Sequence, residues 1–289
     1  MKALVLSGGG CKGAYQVGAL KKWMLEDGND YDILCGVSVG AINSSFLAQA
    51  TLGDPKDAWT KLSEMWATVT TEKVKKNWFP LGVLESIWKP SIYNSSPLQT
   101  WIKSGLNGSA IALSGRKLRV SAVSWDTGEL TSVTETTPNI ADWVIASSAF
   151  PVMLSPIEIN GQTWSDGGIR NVTPLGDAIK LGADEIDVII CSDPYAADPF
   201  TPDGSAAIPG YLLRALDLMS DQIMRADLQI CGLKNNLSEL KPEYKNVKIR
   251  VLEPSKVLTT NSLDFTPALI SSMIETGYSD AVKLSSSNS

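Results

Sequence analysis

Twice within its first 52 residues the chain runs strand, glycine-rich turn, helix, and that repeat narrows the fold more than any other feature. Residues 3–6 are a short apolar strand, and Gly8-Gly9-Gly10-Cys11-Lys12-Gly13 is a turn. Residues 14–25 then carry Tyr15, Val17, Ala19, Leu20, Trp23 and Met24 as a broad helical face, stopped by Asp27-Gly28-Asn29. Residues 31–35 are a second strand, Gly36-Val37-Ser38-Val39-Gly40 a tight turn, and residues 41–52 a second helix. A βαβα opening of this kind belongs to α/β architectures.

Further along, residues 118–125 and 130–134 read as a hairpin, followed by a helix over 139–148. A second hairpin, 154–159 with 162–164, turns on Asn160-Gly161. A helix over 174–181, a buried strand over 185–191, a surface loop over 193–210 and an amphipathic helix over 211–230 come next. The face of that helix (Leu212, Ala215, Leu216, Met219, Ile223) packs on the core or walls a pocket. A strand over 247–252, a helix over 267–284 and a disordered tail over 285–289 complete the expectation. Neither an internal repeat nor a separating linker is visible, so residues 1–289 read as one domain.

The chain has 289 residues, 25 basic and 31 acidic, a net charge of -6 and no histidine. That balance argues against nucleic-acid binding, which calls for a basic stripe. No apolar run is long enough for a signal-peptide core or a spanning helix. The expected location is cytoplasmic, with peripheral contact at a membrane or export without an N-terminal signal left open. Cys11, Cys35, Cys191 and Cys231 are widely spaced, without metal-ligand spacing, and read as buried free thiols. No cofactor or metal is expected.

Gly36-Val37-Ser38-Val39-Gly40 matches the strand-to-helix elbow that presents a nucleophilic serine on a sharp turn near a helix N-terminus. The same serine between glycines also suits a helix cap. Without histidine a Ser-His-Asp triad cannot form on one chain. Asp166, in Ser165-Asp166-Gly167-Gly168, is the candidate base, against the plainer reading of an Asp-Gly turn with a capping carboxylate. Lys12 is a rival base. The loop Gly8 to Gly13 gathers backbone N–H groups into a nest for an anion, either a phosphate or an oxyanion. Its Gly-x-Gly-x-x-Gly spacing also fits a dinucleotide fingerprint with Asp32 as the acidic residue, whereas Lys12-Gly13-Ala14 does not end as a P-loop does.

Taken together, the loop Gly8 to Gly13, the elbow Gly36 to Gly40 and the turn Asp166 to Gly168 resemble, in order and context, the patatin-like phospholipases. The resemblance spans roughly the first 190 residues. It implies a three-layer α/β/α sandwich on a mostly parallel sheet and a Ser-Asp dyad that needs no histidine. By that resemblance Ser38 attacks an acyl ester and Asp166 takes its proton. The backbone N–H groups of Gly9, Gly10 and Cys11 hold the oxyanion, supported by Gly8, Lys12 and Gly13. Lys12 stands where arginine is commoner and lacks its planar fork.

The implied activity is lipid acyl hydrolysis, as a phospholipase A or a broad carboxylesterase. Acyl transfer by the same dyad and a non-catalytic lipid-binding module are the alternatives. Residues 70–95 are the expected lid or mouth, with Trp78, Phe79, Leu81, Leu84, Ile87 and Trp88 near Lys73, Lys75, Lys76 and Lys89. Those apolar side chains either cover the core or face an acyl chain or a membrane surface.

Overall fold

The computed structural model describes residues 1–192, 207–238 and 246–287. The opening repeat forms as β1 (Lys2–Leu6), α1 (Gly13–Leu20), β2 (Ile33–Gly36) and α2 (Val39–Leu47). α1 is shorter than expected because its end widens into a π-helical turn, Lys21–Glu26, in which Asp27 N–H donates to the Lys22 carbonyl. Next come α3 (Pro55–Thr68), α4 (Thr71–Val74), α5 (Ser96–Gly105) and α6 (Gly108–Leu113). Asp54 caps α3 by accepting from Asp57 N–H, with Pro55 at its first position.

The two hairpins are β3 (Lys117–Ser124) with β4 (Leu130–Thr134), and β5 (Ile157–Ile159) with β6 (Gln162–Asp166). Between them lies α7 (Ile140–Ser147). Asn160 and Gly161 both have positive φ, 54° and 76°, as a two-residue hairpin turn requires. The chain continues through α8 (Leu175–Lys180), β7 (Glu185–Ile189), α9 (Ala207–Ser238), β8 (Lys248–Leu252) and α10 (Pro267–Ser287).

Most of the loop expected over 193–210 lies outside the described residues, and 207–210 already belong to α9. Residues 285–287, expected to be disordered, continue α10, and 288–289 lie outside the described residues. Of the face expected on α9, Ile223 packs against the core beside the buried Met224 and Cys231, Ala215 and Met219 are exposed, and the side chains of Leu212 and Leu216 lie outside the described residues.

Strands β3, β2, β1, β7 and β8 are parallel neighbours. β4, β5 and β6 join antiparallel, so following hydrogen-bonded neighbours the strands run β5-β6-β3-β2-β1-β7-β8, with β4 also paired to β3. Alternation along the central strands separates two cores. Leu4, Leu6 and Leu34 face one side with α1, α2, α3, α7 and α10, while Ala3, Val5, Ile33 and Cys35 face the other with α8 and α9. This is a three-layer α/β/α sandwich on a mixed sheet whose centre is parallel. All four cysteines are buried and unbridged.

The C-terminal part is built into this frame. β7 and β8 extend the sheet beside β1, and α10 packs on α1. That helix pair meets backbone to backbone. A Cβ on Gly18 would lie 1.9 Å from the Ile274 carbonyl oxygen, and one on Gly277 would lie 2.0 Å from that of Tyr15.

Candidate active site

The register of β3 explains how distant residues meet. Arg119 and Val120 pair with both β2 and β4, and Ala122 and Val123 pair with both β4 and β6. β4 therefore lies along one edge of β3, while β2 and β6 share the other edge end to end. β2 arrives with Gly36 opposite Val120, and β6 arrives from the opposite direction with Asp166 opposite Ala122. Only Ser121 separates the two positions. The elbow and the Asp-Gly-Gly turn thus leave the sheet at one point. A Cβ on Gly167 would lie 2.9 Å from Val37 Cγ2.

Ser38 sits at the N-terminus of α2 with φ 56° and ψ -129°, a backbone shape that costs a non-glycine residue about 1–3 kcal/mol. Flanking glycines allow the turn to close. A Cβ on Gly36 would lie 2.1 Å from the Gly40 carbonyl oxygen, and one on Gly40 would lie 2.2 Å from that of Leu6. The strained residue is held by α7. Ser38 N–H donates to Ser147 Oγ at 3.0 Å, and the Ser148 hydroxyl donates to the Ser38 carbonyl at 3.3 Å. Sequence reasoning missed both serines, since within a helical segment they carried no distinguishing signal.

Asp166 is buried, whereas Ser38 is only partly so. Burial is the main influence on the aspartate and pushes its carboxyl from 3.8 up to about 7; the Ser38 hydroxyl and Gly168 N–H pull it down. Oδ1 accepts from Gly168 N–H at 2.8 Å. Oδ2 is buried and has no hydrogen-bond partner. The Ser38 hydroxyl is therefore within electrostatic reach of the carboxyl, yet no closed hydrogen bond joins them.

The glycine loop lies against the elbow, with a Cβ on Gly8 falling 3.1 Å from Ser38 Cβ and 3.8 Å from its Oγ. Gly8, Gly9 and Gly10 are partly exposed, and the N–H groups of Gly9 and Gly10 have no acceptor among the described residues. Cys11 differs from its two glycine neighbours. Its N–H donates to the Ser262 carbonyl at 2.8 Å, so it is already satisfied rather than open to an oxyanion. The partner lies 251 positions along the chain, beyond what a local motif can reveal. Lys12 N–H donates to the Gly9 carbonyl at 3.1 Å, and Gly13 is buried where α1 begins.

A buried polar cluster fixes this loop to the helices around it. Gln16 Nε2 donates to the Ser7 carbonyl, Asn43 Nδ2 to Gly13 O and Gln16 Oε1, and Trp66 Nε1 to Asn43 Oδ1. The glycine loop, α1, α2 and α3 are thereby tied together by satisfied hydrogen bonds.

The uncharacterized protein YjjU of Escherichia coli (strain K12) is 28% identical over 192 residues, covering 65% of this chain and 51% of that protein. A patatin-like phospholipase domain-containing protein of Chaetomium globosum is 27% identical over 194 residues, 60% of this chain and 22% of that protein. The chain thus spans about half, or less, of these relatives. The crystal structure of VipD from Legionella pneumophila aligns with a TM-score of 0.48 at 16% identity, over 99% of this chain and 67% of that one. The patatin-like phospholipase family model matches residues 4–179, which include the glycine loop, the elbow and the Asp-Gly-Gly turn. The chain belongs to the patatin-like phospholipase family, a family of lipid hydrolases.

Proposed function

We propose that this protein hydrolyses acyl esters of lipids, as a phospholipase A or carboxylesterase, with Ser38 as nucleophile and Asp166 as its base. The observation that carries the reading is the buried, unpartnered Oδ2 of Asp166 beside the elbow. A carboxyl of this kind, raised to about 7, accepts a proton near neutral pH where an ordinary aspartate would not.

In the first half-reaction Ser38 Oγ attacks the ester carbonyl carbon as its proton passes to Asp166. The oxyanion rests on the N–H groups of Gly9 and Gly10, and the N-terminal end of α2 adds favourable potential. Collapse expels the alcohol, which takes the proton from Asp166 and leaves an acyl ester on Ser38. Water then gives a proton to Asp166 and attacks that ester. Ser38 recovers the proton as the fatty acid leaves. Cys11 N–H joins the oxyanion site only if its bond to Ser262 opens. The chain acts as one catalytic unit, with residues 70–95 at its mouth.

The test is turnover of a soluble short-chain ester and of a phospholipid by the purified protein. Ser38→Ala should abolish both, and a fluorophosphonate should label the native protein but not that variant. Turnover that survives in Ser38→Ala would exclude the nucleophile.

A further inference from the structure

Large apolar side chains that stand singly on a surface are ordinary. The segment after α4 departs from this. Phe79, Leu81, Leu84, Ile87 and Trp88 are between 57% and 91% exposed, all within positions 79–88. Gly82–Trp88 is a 3-10 helix, which repeats every three residues. Leu81, Leu84 and Ile87 follow that spacing and form one row along it. Glu85 and Lys89 form an ion pair at 3.5 Å.

This tip stands on a fixed base. Lys76 and Asn94 exchange backbone hydrogen bonds, Ile92 and Tyr93 N–H donate to the carbonyls of Val152 and Met153, and Trp78 Nε1 donates to the Ser91 carbonyl. The base adjoins the candidate active site. Thr71 Oγ1 accepts from Phe265 N–H, in the same stretch whose Ser262 carbonyl holds Cys11. Lys75 is within electrostatic reach of Cys11 and Asp264.

Charge distinguishes the segment as well. Residues 70–94 hold Lys73, Lys75, Lys76 and Lys89 against Glu72 and Glu85, a local excess of positive charge in a chain of net charge -6. An exposed apolar row with flanking lysines fits a headgroup layer over hydrocarbon.

We infer that Leu81, Leu84, Ile87 and Trp88 form a membrane-docking tip that enters the interfacial layer of a bilayer carrying anionic lipid, with Lys73 and Lys76 meeting the headgroups. The inference rests on the lipid-hydrolase reading and specifies the surface from which substrate reaches Ser38.

Binding is measured with the Ser38→Ala protein, so that turnover plays no part, by co-sedimentation with phosphatidylcholine vesicles with and without phosphatidylglycerol. The protein should sediment with the anionic vesicles. Leu84→Ser/Ile87→Ser/Trp88→Ser should weaken that binding by about tenfold or more. Lys73→Glu/Lys76→Glu should weaken it only where phosphatidylglycerol is present. With Ser38 restored, both variants should lose more of their activity on anionic vesicles than on a soluble ester. Equal vesicle binding by the apolar variant and its parent would overturn the inference. So would a dimer that this variant breaks while vesicle binding persists, which would mark the row as a contact between copies. Vesicle binding without any soluble-ester turnover would instead remove the hydrolase reading and leave the docking tip standing.

Discussion

Replacing Asp166 by asparagine should lower activity by orders of magnitude and, at neutral to alkaline pH, strengthen the fold. The carboxyl is buried and its proton affinity is raised from 3.8 to about 7. A group raised in the folded state contributes its full stability below the unfolded value. That contribution is lost as pH climbs, and the loss is complete above the folded value. Above about pH 7 the native protein therefore holds a buried anion at a cost of about 4 kcal/mol. Asparagine removes this cost and introduces an amide where Oδ2 has no partner, a constant penalty of about 1–2 kcal/mol. The difference between variant and parent should shift in the variant's favour by about 2–3 kcal/mol from pH 5 to pH 8. Urea denaturation of both proteins at the two pH values measures it, and carboxylates common to both cancel. Soluble-ester turnover should fall by about 10²–10⁴-fold in the same variant. A stability difference independent of pH would refute the assignment of a strained buried anion, and near-parental turnover would refute its role as base.

Other consequences can be measured directly. The kcat/KM for a soluble ester should rise with pH through about 7 and then level, because the base works only when deprotonated; a profile flat from pH 5 to pH 8 would contradict it. Ser147→Ala removes the acceptor of Ser38 N–H and should lower kcat by about tenfold with little change in KM, at about 1–2 kcal/mol in stability. Gly40→Ala places a Cβ 2.2 Å from the Leu6 carbonyl oxygen and should cost about 3 kcal/mol or prevent folding, read by thermal denaturation. The Arg116 side chain is nearly inaccessible and donates to Asp30 and to the carbonyls of Tyr31, Ala50 and Thr51. Arg116→Ala should therefore cost about 3–5 kcal/mol in the same assay, with the Ser38 region unaltered in kinetics once folded.

What was legible in the chain was local. The strand-glycine-helix repeat gives β1, α1, β2 and α2, and Asn160-Gly161 fixes the β5–β6 turn, because such conformations depend on residues adjacent in sequence. Helix ends were less legible, as α1 and α10 show, since tertiary contacts decide how far a turn continues. The pairing of the elbow with the Asp166 turn was read from motif order alone; its physical cause, two strands meeting on one edge of β3, depends on register. Ser147, Ser148 and Ser262 were invisible for the same reason. Each acts through the fold on a backbone group far away in sequence. The exposed row over 81–88 was visible as apolar residues, but only coordinates separate an outward row from core cover.

The junction on β3 gives one strand unusual authority. Gly36 and Asp166 are referenced to Val120 and Ala122, so the spacing of the proposed reacting groups is inherited from a short stretch of extended backbone. One residue added at Ser121 would move the two partners apart by about 3.3 Å and turn following side chains to the opposite face. Selection on the proposed chemistry would then act on a strand that supplies no atom to it, and drift in this chain should be slowest where β3 measures out that interval.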